Sequence, residues 1–418
     1  KRLKDLKDKI RYVEKAVELD RSDTSLRVYL AELYVTNGDL TRSIAELEEV
    51  VGKKPTHQEA NEKLLHLYKK TSNVNKMIQV YERLVRSDPK DEALHYNLGT
   101  LLEDKGEHEK AIPAFLEAAR ANPKEASTHA HLAYNYTKMG DLKNAIQEYR
   151  KASELNKQDP VIPYNLAVLY QRAGKIEEAI KEYENARKLA PDDIDILSPL
   201  AELYLDSKGY KKAIPVYEQI AKLNPESPEP YSKLGFAYSQ EKIYPKAIMN
   251  YEKAIHYNPK DHIIQFNLAF LYEKTGKTLE AIKAYENARS LKPDDTDILL
   301  PLAELYFDRK DYKKAIPVYK KIVEKTPKDP VIWGKLGFAY SEEKMWHEAI
   351  QSYSRSLKNG ADDALTHLNL AILFEKVNDI ENALREYKEA LKRDPSLREA
   401  REKIPRLSIE LLRLKEKP

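Results

Sequence analysis

The chain has 418 residues, no cysteine, and 71 lysine and arginine residues against 68 aspartate and glutamate residues, for a net charge of +3. The absence of cysteine excludes a disulfide framework, a thiolate nucleophile and a cysteine-ligated metal site, and the balanced charge argues against an electrostatic surface for nucleic acids or membranes. No apolar run approaches the roughly 18 residues of a membrane span and no secretory signal stands at the start. We therefore expect a soluble chain without a targeting or transmembrane segment, whose compartment stays open between cytoplasmic and processed extracytoplasmic.

The first 23 residues indicate a lone helix. Ile10, Val13 and Val17 recur at helical spacing and give this helix one apolar side. Compared with the 34-residue repeat that begins at residue 24, this helix matches only the second half of the repeat. We predict an N-terminal half-repeat helix over residues 1–23.

From residue 24 onward the sequence repeats every 34 residues without insertion. In the copy that covers 165–193, Leu166 and Tyr170 fall on one face of a helix, Gly174 interrupts the pattern, and Tyr183 falls on a second helix. A fixed period of this kind is typical of an array of helical hairpins. Residues 24–397 are predicted to form eleven repeats, which start at Thr24, Gln58, Glu92, Ala126, Pro160, Ile194, Pro228, His262, Thr296, Pro330 and Ala364.

A longer period lies on top of the first. Residues 160–261 and 262–363 resemble each other closely, as in PLAELYLD from Pro199 and PLAELYFD from Pro301, which indicates a duplicated three-repeat block. Either the duplication is recent or both copies hold equivalent ligand surfaces. After the last repeat, residues 398–418 are predicted to form a capping helix, with an apolar stripe at Ile404, Leu407, Leu411 and Leu414.

Aspartate residues precede most of the predicted first helices. A carboxylate at this position can accept from the free N–H groups of the first turn and oppose the positive helix end. Pro160, Pro228 and Pro330 follow at the first helical position, where no N–H is needed. We predict helix caps at Asp91, Asp159, Asp193, Asp261, Asp295, Asp329 and Asp363.

The residues that recur make the pattern specific. In the repeat from Pro228 they are Tyr231, Leu234, Gly235, Tyr238, Ala247, Tyr251, Ala254 and Pro259. The sequence resembles the tetratricopeptide repeat family over essentially its whole length, and the resemblance implies an all-α fold, a right-handed α-solenoid superhelix of helix-turn-helix hairpins. The repeat from Gln58 departs from the pattern at Leu65, Ser72 and Met77, so we expect it to be looser or slightly bent.

In this family the first helices line the concave face, where extended peptides or partner helices often bind. The resemblance places Tyr134, Val168, Glu202, Phe236, Phe270, Glu304, Phe338 and Ile372 on that face, one from each successive repeat. Asp206 and Asp308 follow Glu202 and Glu304 by one helical turn and would form two acidic patches between apolar steps. Such a face would suit an extended partner with basic and apolar residues. The alternative is that the acids are solvated charges and the phenylalanines pack between repeats.

Asparagine side chains add a second candidate contact. Some long arrays of the family hold a ligand backbone with a ladder of asparagines, and Asn97, Asn165, Asn267 and Asn369 occupy that position here. An amide donates and accepts at once, which suits a peptide backbone. The ladder is interrupted in the other repeats. The clustered lysines that family members use to clamp a terminal carboxylate are also missing, and Lys233 and Lys335 stand alone.

No motif of an enzyme is present: there is no phosphate-binding glycine loop, HExxH or nucleophile elbow. His129 and His131 diverge on a helix, so we predict no metal site and no cofactor. His95, His129 and His367 recur at one repeat position, where packing or surface placement is expected. Most tyrosines fall at repeat positions that predict a structural role: Tyr170, Tyr183, Tyr204, Tyr217, Tyr238, Tyr251, Tyr272, Tyr285, Tyr306 and Tyr319.

These features together predict a non-catalytic protein-protein interaction scaffold, with an extended peptide or partner helix in the concave groove between residues 160 and 363. An alternative is a self-assembling structural protein, in which the terminal helices of neighbouring molecules complete one another and form end-to-end filaments. A third is that the array is the recognition part of a longer enzyme or secretion component.

Overall fold

The computed structural model describes the backbone of residues 2–415 and the side chains of residues 6–414. The described residues form α-helices joined by short turns, with no strand among them. Two compact bodies divide the chain, an N-terminal body that ends at Leu203 and a C-terminal body that begins at Tyr204. The predicted all-α array of paired helices is confirmed within each body.

The helices of the N-terminal body pack in order along the chain. They are α1 (Arg2–Leu19), α2 (Thr24–Thr36), α3 (Leu40–Lys53), α4 (Gln58–Lys70), α5 (Val74–Ser87), α6 (Glu92–Asp104), α7 (His108–Ala121), α8 (Ala126–Lys138), α9 (Leu142–Leu155), α10 (Val161–Arg172) and α11 (Ile176–Leu189). The division between the bodies falls inside α12 (Ile194–Asp206).

The C-terminal body continues in the same manner. Its helices are α13 (Tyr210–Leu223), α14 (Pro228–Gln240), α15 (Tyr244–Tyr257), α16 (His262–Lys274), α17 (Thr278–Leu291), α18 (Thr296–Asp308), α19 (Tyr312–Lys325), α20 (Pro330–Glu342), α21 (Trp346–Lys358), α22 (Ala364–Lys376), α23 (Ile380–Arg393) and α24 (Arg398–Lys415). No helix among the described residues combines the length and the apolar character that a membrane crossing requires.

Aspartate caps begin the first helices as predicted. The carboxylate of Asp329, for example, accepts from the N–H groups of Val331 and Ile332 at 2.9 and 3.2 Å, and the other predicted caps make the same kind of bond. One boundary differs from the prediction. Helix α10 begins at Val161, and Pro160 lies in its N-cap position, while the Asp159 carboxylate accepts from the N–H of Val161 at 2.9 Å.

The core of each body consists of alanine and glycine facing tyrosine, and the small side chains let the paired helices approach closely. Ala179, Tyr183 and Ala186 are buried on α11, and Ala315 and Tyr319 on α19. A methyl group built onto Gly235 would lie 2.7 Å from the ring of Tyr251, so only glycine lets this ring lie flat on α14. The predicted core tyrosines are buried, except for Tyr272, which is half-buried.

The turn inside each hairpin has one residue in the left-handed region. Glycine occupies it in several repeats, for example Gly174 at φ 71°. In other repeats a residue with a side chain takes the same conformation, among them Ser72 at φ 54° and Lys242 at φ 60°. Such residues carry a conformational cost that glycine avoids.

The repeat from Gln58 is the loosest hairpin of the N-terminal body. Its helices α4 and α5 pack less extensively than the helices of the other hairpins in that body. Leu65 and Met77 stand where most repeats have alanine or glycine, and both are only half-buried. The predicted looseness is confirmed, since bulkier side chains at these positions keep the two helices apart.

The helices at the two ends pack on their neighbours. On α1, Ile10 and Val17 are buried against α2. On α24, Leu407 is buried, while Ile404 and Leu411 pack beside it against α22 and α23. Leu414, predicted for the same stripe, is exposed instead. Most of the stripe is thus used inside the molecule, which favours a capping role for α24, and end-to-end assembly stays a prediction.

Candidate peptide-binding face

The predicted aromatic anchors of the C-terminal body differ in how accessible they are. Phe236 and Phe270 are 39% and 41% exposed. The ring of Phe236 stands edge-on to Tyr210 at 5.9 Å, and the ammonium of Lys274 lies 5.2 Å from the ring centre of Phe270. Both rings therefore keep much of their surface available for a partner.

Phe338 is half-buried in an aromatic cluster. Its ring centre lies 5.4 Å from that of Phe307 and 5.8 Å from that of Tyr312. For this residue the structure agrees with the alternative prediction, in which the phenylalanines pack between repeats. The three predicted anchors thus fall into two exposed rings and one that is largely enclosed.

The predicted acidic residues of the same body also differ in burial and in the bonds that they make within the protein. Glu304 is half-buried, accepts a hydrogen bond from the hydroxyl of Tyr319 at 2.9 Å, and forms an ion pair with Lys335. Burial, and then the charge of Glu304, raises the pKa of Tyr319 above its usual range. Asp308 is exposed one turn further along α18. Because Lys335 already neutralises Glu304, Asp308 is the better placed of the two to meet a basic partner.

The asparagine ladder has an internal role that the sequence did not indicate. The amide nitrogen of Asn369 donates to the hydroxyl of Tyr353 at 3.2 Å. Asn165 and Asn267 lie near the equivalent tyrosines, Tyr149 and Tyr251, where they oppose the effect of burial, which raises the pKa of each hydroxyl. The amide that was expected to hold a ligand backbone is partly committed to the protein, and its carbonyl oxygen is left to accept from a ligand.

In the N-terminal body two predicted site residues line one pocket. Tyr134, which is 38% exposed, and Asn165 border a cavity of about 410 Å³ between α8 and α10. Glu103 and His131 contribute to its wall, with both carboxylate oxygens of Glu103 3.0 Å from Nδ1 of His131. The structure thus brings Tyr134 and Asn165 together on the first-helix face.

The remaining predicted residues lie apart from this pocket. Val168 is half-buried on α10 and does not border the cavity. Glu202 is half-buried at the end of the N-terminal body, Asp206 is exposed in the C-terminal body, and Ile372 is half-buried on α22. These positions have the accessibility expected of a surface that alternates between packing and solvent.

The recurring histidines are packing residues, as predicted. His129 is buried with its Nδ1 2.6 Å from the Glu148 carboxylate, and His367 with its Nδ1 2.6 Å from the Glu386 carboxylate. Among the side chains of residues 6–414, no group of three histidine or acidic residues is arranged to hold a metal ion.

Sequence reasoning missed one feature of this face. A second cavity, of about 470 Å³, lies between α2 and α4 with Leu47 of α3 on its floor. The signal was present in the sequence, because Leu47 stands where the other ten repeats have tyrosine or phenylalanine.

Comparison with known proteins supports the repeat assignment. Family models described as Tetratricopeptide repeat match residues 58–91, 78–126, 136–203, 171–235, 250–283, 274–337 and 364–397. Together these segments cover well over half of the chain. A search of curated proteins finds no match.

Solved structures that match this chain share little sequence with it. The crystal structure of YrrB, described as a TPR protein with an unusual peptide-binding site, is 20% identical at a TM-score of 0.40, over 45% of this chain and 97% of YrrB. The structure of Naa15/Naa10 bound to HypK-THB is 14% identical at a TM-score of 0.47, over 97% of this chain and 64% of that one. MamA from Desulfovibrio magneticus RS-1 is 20% identical at a TM-score of 0.35, over 41% of this chain and 97% of MamA.

The matched segments lie in both bodies, and the residues that define the repeat fill the cores of the helix pairs. This chain belongs to the tetratricopeptide repeat family.

Proposed function

We propose that this chain is a non-catalytic scaffold that binds an extended segment of a protein partner along the first-helix face. The observation that carries the proposal is the pair of exposed rings at Phe236 and Phe270. Large apolar side chains that remain accessible at equivalent positions of successive repeats are typical of a binding surface.

The chemistry of the neighbouring residues suggests what the partner contains. Asp308 is exposed and offers a carboxylate to a basic side chain. Asn369 has a carbonyl oxygen available to a backbone N–H group, since its amide nitrogen donates to Tyr353, and Asn267 occupies the equivalent position three repeats earlier. We infer a partner segment with apolar anchors and basic residues, in which Phe338 contributes the edge of its aromatic cluster rather than a free ring.

The N-terminal body offers a smaller part of the same kind of surface. Tyr134 and Asn165 border one pocket and present an aromatic ring beside an amide. Val168 and Glu202 follow at the corresponding positions of the next two repeats. This patch would bind a separate stretch of the partner by the same combination of apolar contact and backbone hydrogen bonding.

A peptide selection tests the proposal and does not require the partner to be identified first. Peptides displayed on phage are selected against the purified chain, and the best binders are measured by calorimetry. Replacing Phe236 or Phe270 with alanine should weaken binding by about tenfold or more, as truncation of an interface anchor does. Met249→Ala is the matched control, because Met249 is an exposed apolar residue on the second helix of the Phe236 repeat. If the selected peptides bind the double variant Phe236→Ala, Phe270→Ala as tightly as they bind the parent chain, the binding surface lies elsewhere.

A further inference from the structure

The cavity between α2, α3 and α4 has the form of a missing tyrosine. Its floor is Leu47 and Ser43 of α3, and its walls include Val35 of α2 and His66 of α4. Leu47 is 1% exposed, so it forms the bottom of the cavity and not its rim. The volume of about 470 Å³ opens on the first-helix face of the N-terminal body.

In the repeat at 296–329 and the first helix that follows it, aromatic side chains fill the equivalent space. At the positions of Val35, Leu47 and His66, this repeat and helix have Phe307, Tyr319 and Phe338. The ring centre of Phe307 lies 6.1 Å from that of Tyr319 and 5.4 Å from that of Phe338. Two rings of this repeat and one of the next are thus replaced by smaller side chains in the N-terminal body, and the cavity is the space they leave.

The polar partner of the missing ring is still in place. In the C-terminal body Glu304 accepts from the hydroxyl of Tyr319 and pairs with Lys335. The equivalent pair in the N-terminal body is Glu32 and Lys63, whose Oε1 and Nζ lie 2.6 Å apart. The cavity therefore has the carboxylate that receives a tyrosine hydroxyl but has no tyrosine.

One further polar group in the cavity has no partner. Ser43 is fully buried, and its hydroxyl makes no hydrogen bond among the described residues. Most repeats have alanine at this position, including Ala315 in the 296–329 repeat. A buried hydroxyl without a partner costs free energy that the repeats with alanine at this position avoid.

We propose that this cavity binds a tyrosine side chain of the protein partner, with the phenol ring over Leu47 and the hydroxyl donating to Glu32. A phenol fits the charges around the cavity, because it donates a hydrogen bond without bringing a charge. A lysine or arginine would compete with Lys63 for the same carboxylate, and a phosphorylated tyrosine would face both Glu32 and Glu62. The inference rests on the proposed function only in that the partner is a peptide segment.

Single amino-acid amides test this cavity separately from the proposed binding surface at Phe236 and Phe270 in the C-terminal body. N-acetyl-L-tyrosine amide and the corresponding phenylalanine and leucine amides are titrated against the full chain, and binding is followed by saturation-transfer NMR. The tyrosine amide should bind roughly three to ten times more tightly than the phenylalanine amide because of the bond to Glu32, and the leucine amide should bind most weakly. Absence of binding by the tyrosine amide would overturn the proposal.

Variants locate the probe. Leu47→Tyr fills the cavity from inside and should abolish binding, whereas Leu155→Tyr, the same change at an exposed position of the same body, should leave it unchanged. Glu32→Gln should remove the preference for tyrosine over phenylalanine. If Leu47→Tyr binds the tyrosine amide as well as the parent chain, the cavity is not the site.

A gain of binding is the strictest form of the test. The triple change Phe307→Val, Tyr319→Leu and Phe338→His recreates the cavity beside Glu304 and Lys335, so a chain with these changes should bind two probe molecules where the parent binds one. The same variants at Phe236 and Phe270 distinguish this proposal from the proposed function. Phe236→Ala and Phe270→Ala should leave the probe bound at Leu47, and loss of probe binding in these variants would place it in the groove instead.

Discussion

The repeats at 24–57 and 296–329 form the same helical hairpin but differ in the side chains that fill the space between their helices. In the later repeat Tyr319 fills the space between helices and bonds Glu304. In the earlier one Leu47 leaves this space open, although Glu32 and Lys63 reproduce the ion pair of Glu304 and Lys335. Because the backbone does not depend on this one ring, the repeat tolerates its loss and a cavity results.

This difference separates two roles of the repeat positions. Residues such as Ala31 and Ala303 hold the first and second helices together and are buried in both repeats. The tyrosine position contributes packing energy but is not needed to form the hairpin. A repeat can therefore exchange stability for a binding cavity at this position.

The largest expected effect comes from removing the ring where it is present. Tyr319→Leu should lower the free energy of unfolding by about 2 kcal/mol or more, because a buried ring is lost and a cavity is left. Urea unfolding followed by circular dichroism measures the change. Leu300→Ala, at an exposed site on the same hairpin, serves as the control. A loss below about 0.5 kcal/mol would show that the ring contributes little packing energy.

The reverse change should stabilise the earlier repeat. Leu47→Tyr is expected to raise the free energy of unfolding by about 1–2 kcal/mol, since cavity filling commonly stabilises and the new hydroxyl can donate to Glu32. The same urea experiment measures it, with Leu155→Tyr as the exposed control. A clear destabilisation would mean that the cavity cannot accept the ring and that the two repeats differ in backbone.

The two repeats should also differ at alkaline pH. Burial, together with Glu304, raises the pKa of Tyr319 in the folded chain above its ordinary value near 10. The stability that the neutral phenol contributes is complete below pH 10 and is lost as the pH rises from there toward the folded pKa. Melting temperatures above pH 10 should fall less steeply for Tyr319→Phe than for the parent chain, and more steeply for Leu47→Tyr. Parallel curves for all three chains would contradict this assignment.

The unpartnered hydroxyl gives a smaller effect. Ser43→Ala should stabilise the chain by about 1 kcal/mol, because it removes a buried hydroxyl without a hydrogen bond and installs the residue of the other repeat. The reciprocal Ala315→Ser should destabilise by a similar amount. Equal stability of parent and Ser43→Ala, measured by urea unfolding, would indicate that the hydroxyl is satisfied in solution.

The smallest effect concerns the shared ion pairs. Lys63→Ala and Lys335→Ala should each cost about 0.5 kcal/mol, since the side chains of Lys63 and Lys335 are 31% and 33% exposed and solvent screens such pairs. The cost should shrink in high salt. Lys335→Ala should be the more harmful, because Glu304 also holds the hydroxyl of Tyr319. A Lys63→Ala variant that is much less stable than Lys335→Ala would reverse this order.

The sequence predicted the fold well but the candidate site only in part. The period, the aspartate caps and the small residues predicted the paired helices, because these signals act within one hairpin. The exposure of Phe236 and Phe270 agrees with the prediction for the binding face. The enclosure of Phe338 agrees with the alternative prediction, in which the phenylalanines pack between repeats. The internal bonds of Glu304 and Asn369 were not predicted, since they depend on the side chains of neighbouring helices.

The sequence by itself determined where the first helices begin, apart from α10, and most of the residues that face the core, because helical spacing and helix capping are local properties of the chain. Only the tertiary structure decided which polar groups meet. Asn369 joins Tyr353, and Glu304 joins Lys335, across separate helices, and such contacts depend on how the helices pack. The cavity over Leu47 was decided in the same way, since the sequence contains the smaller residue but only packing shows that no neighbouring side chain fills its space.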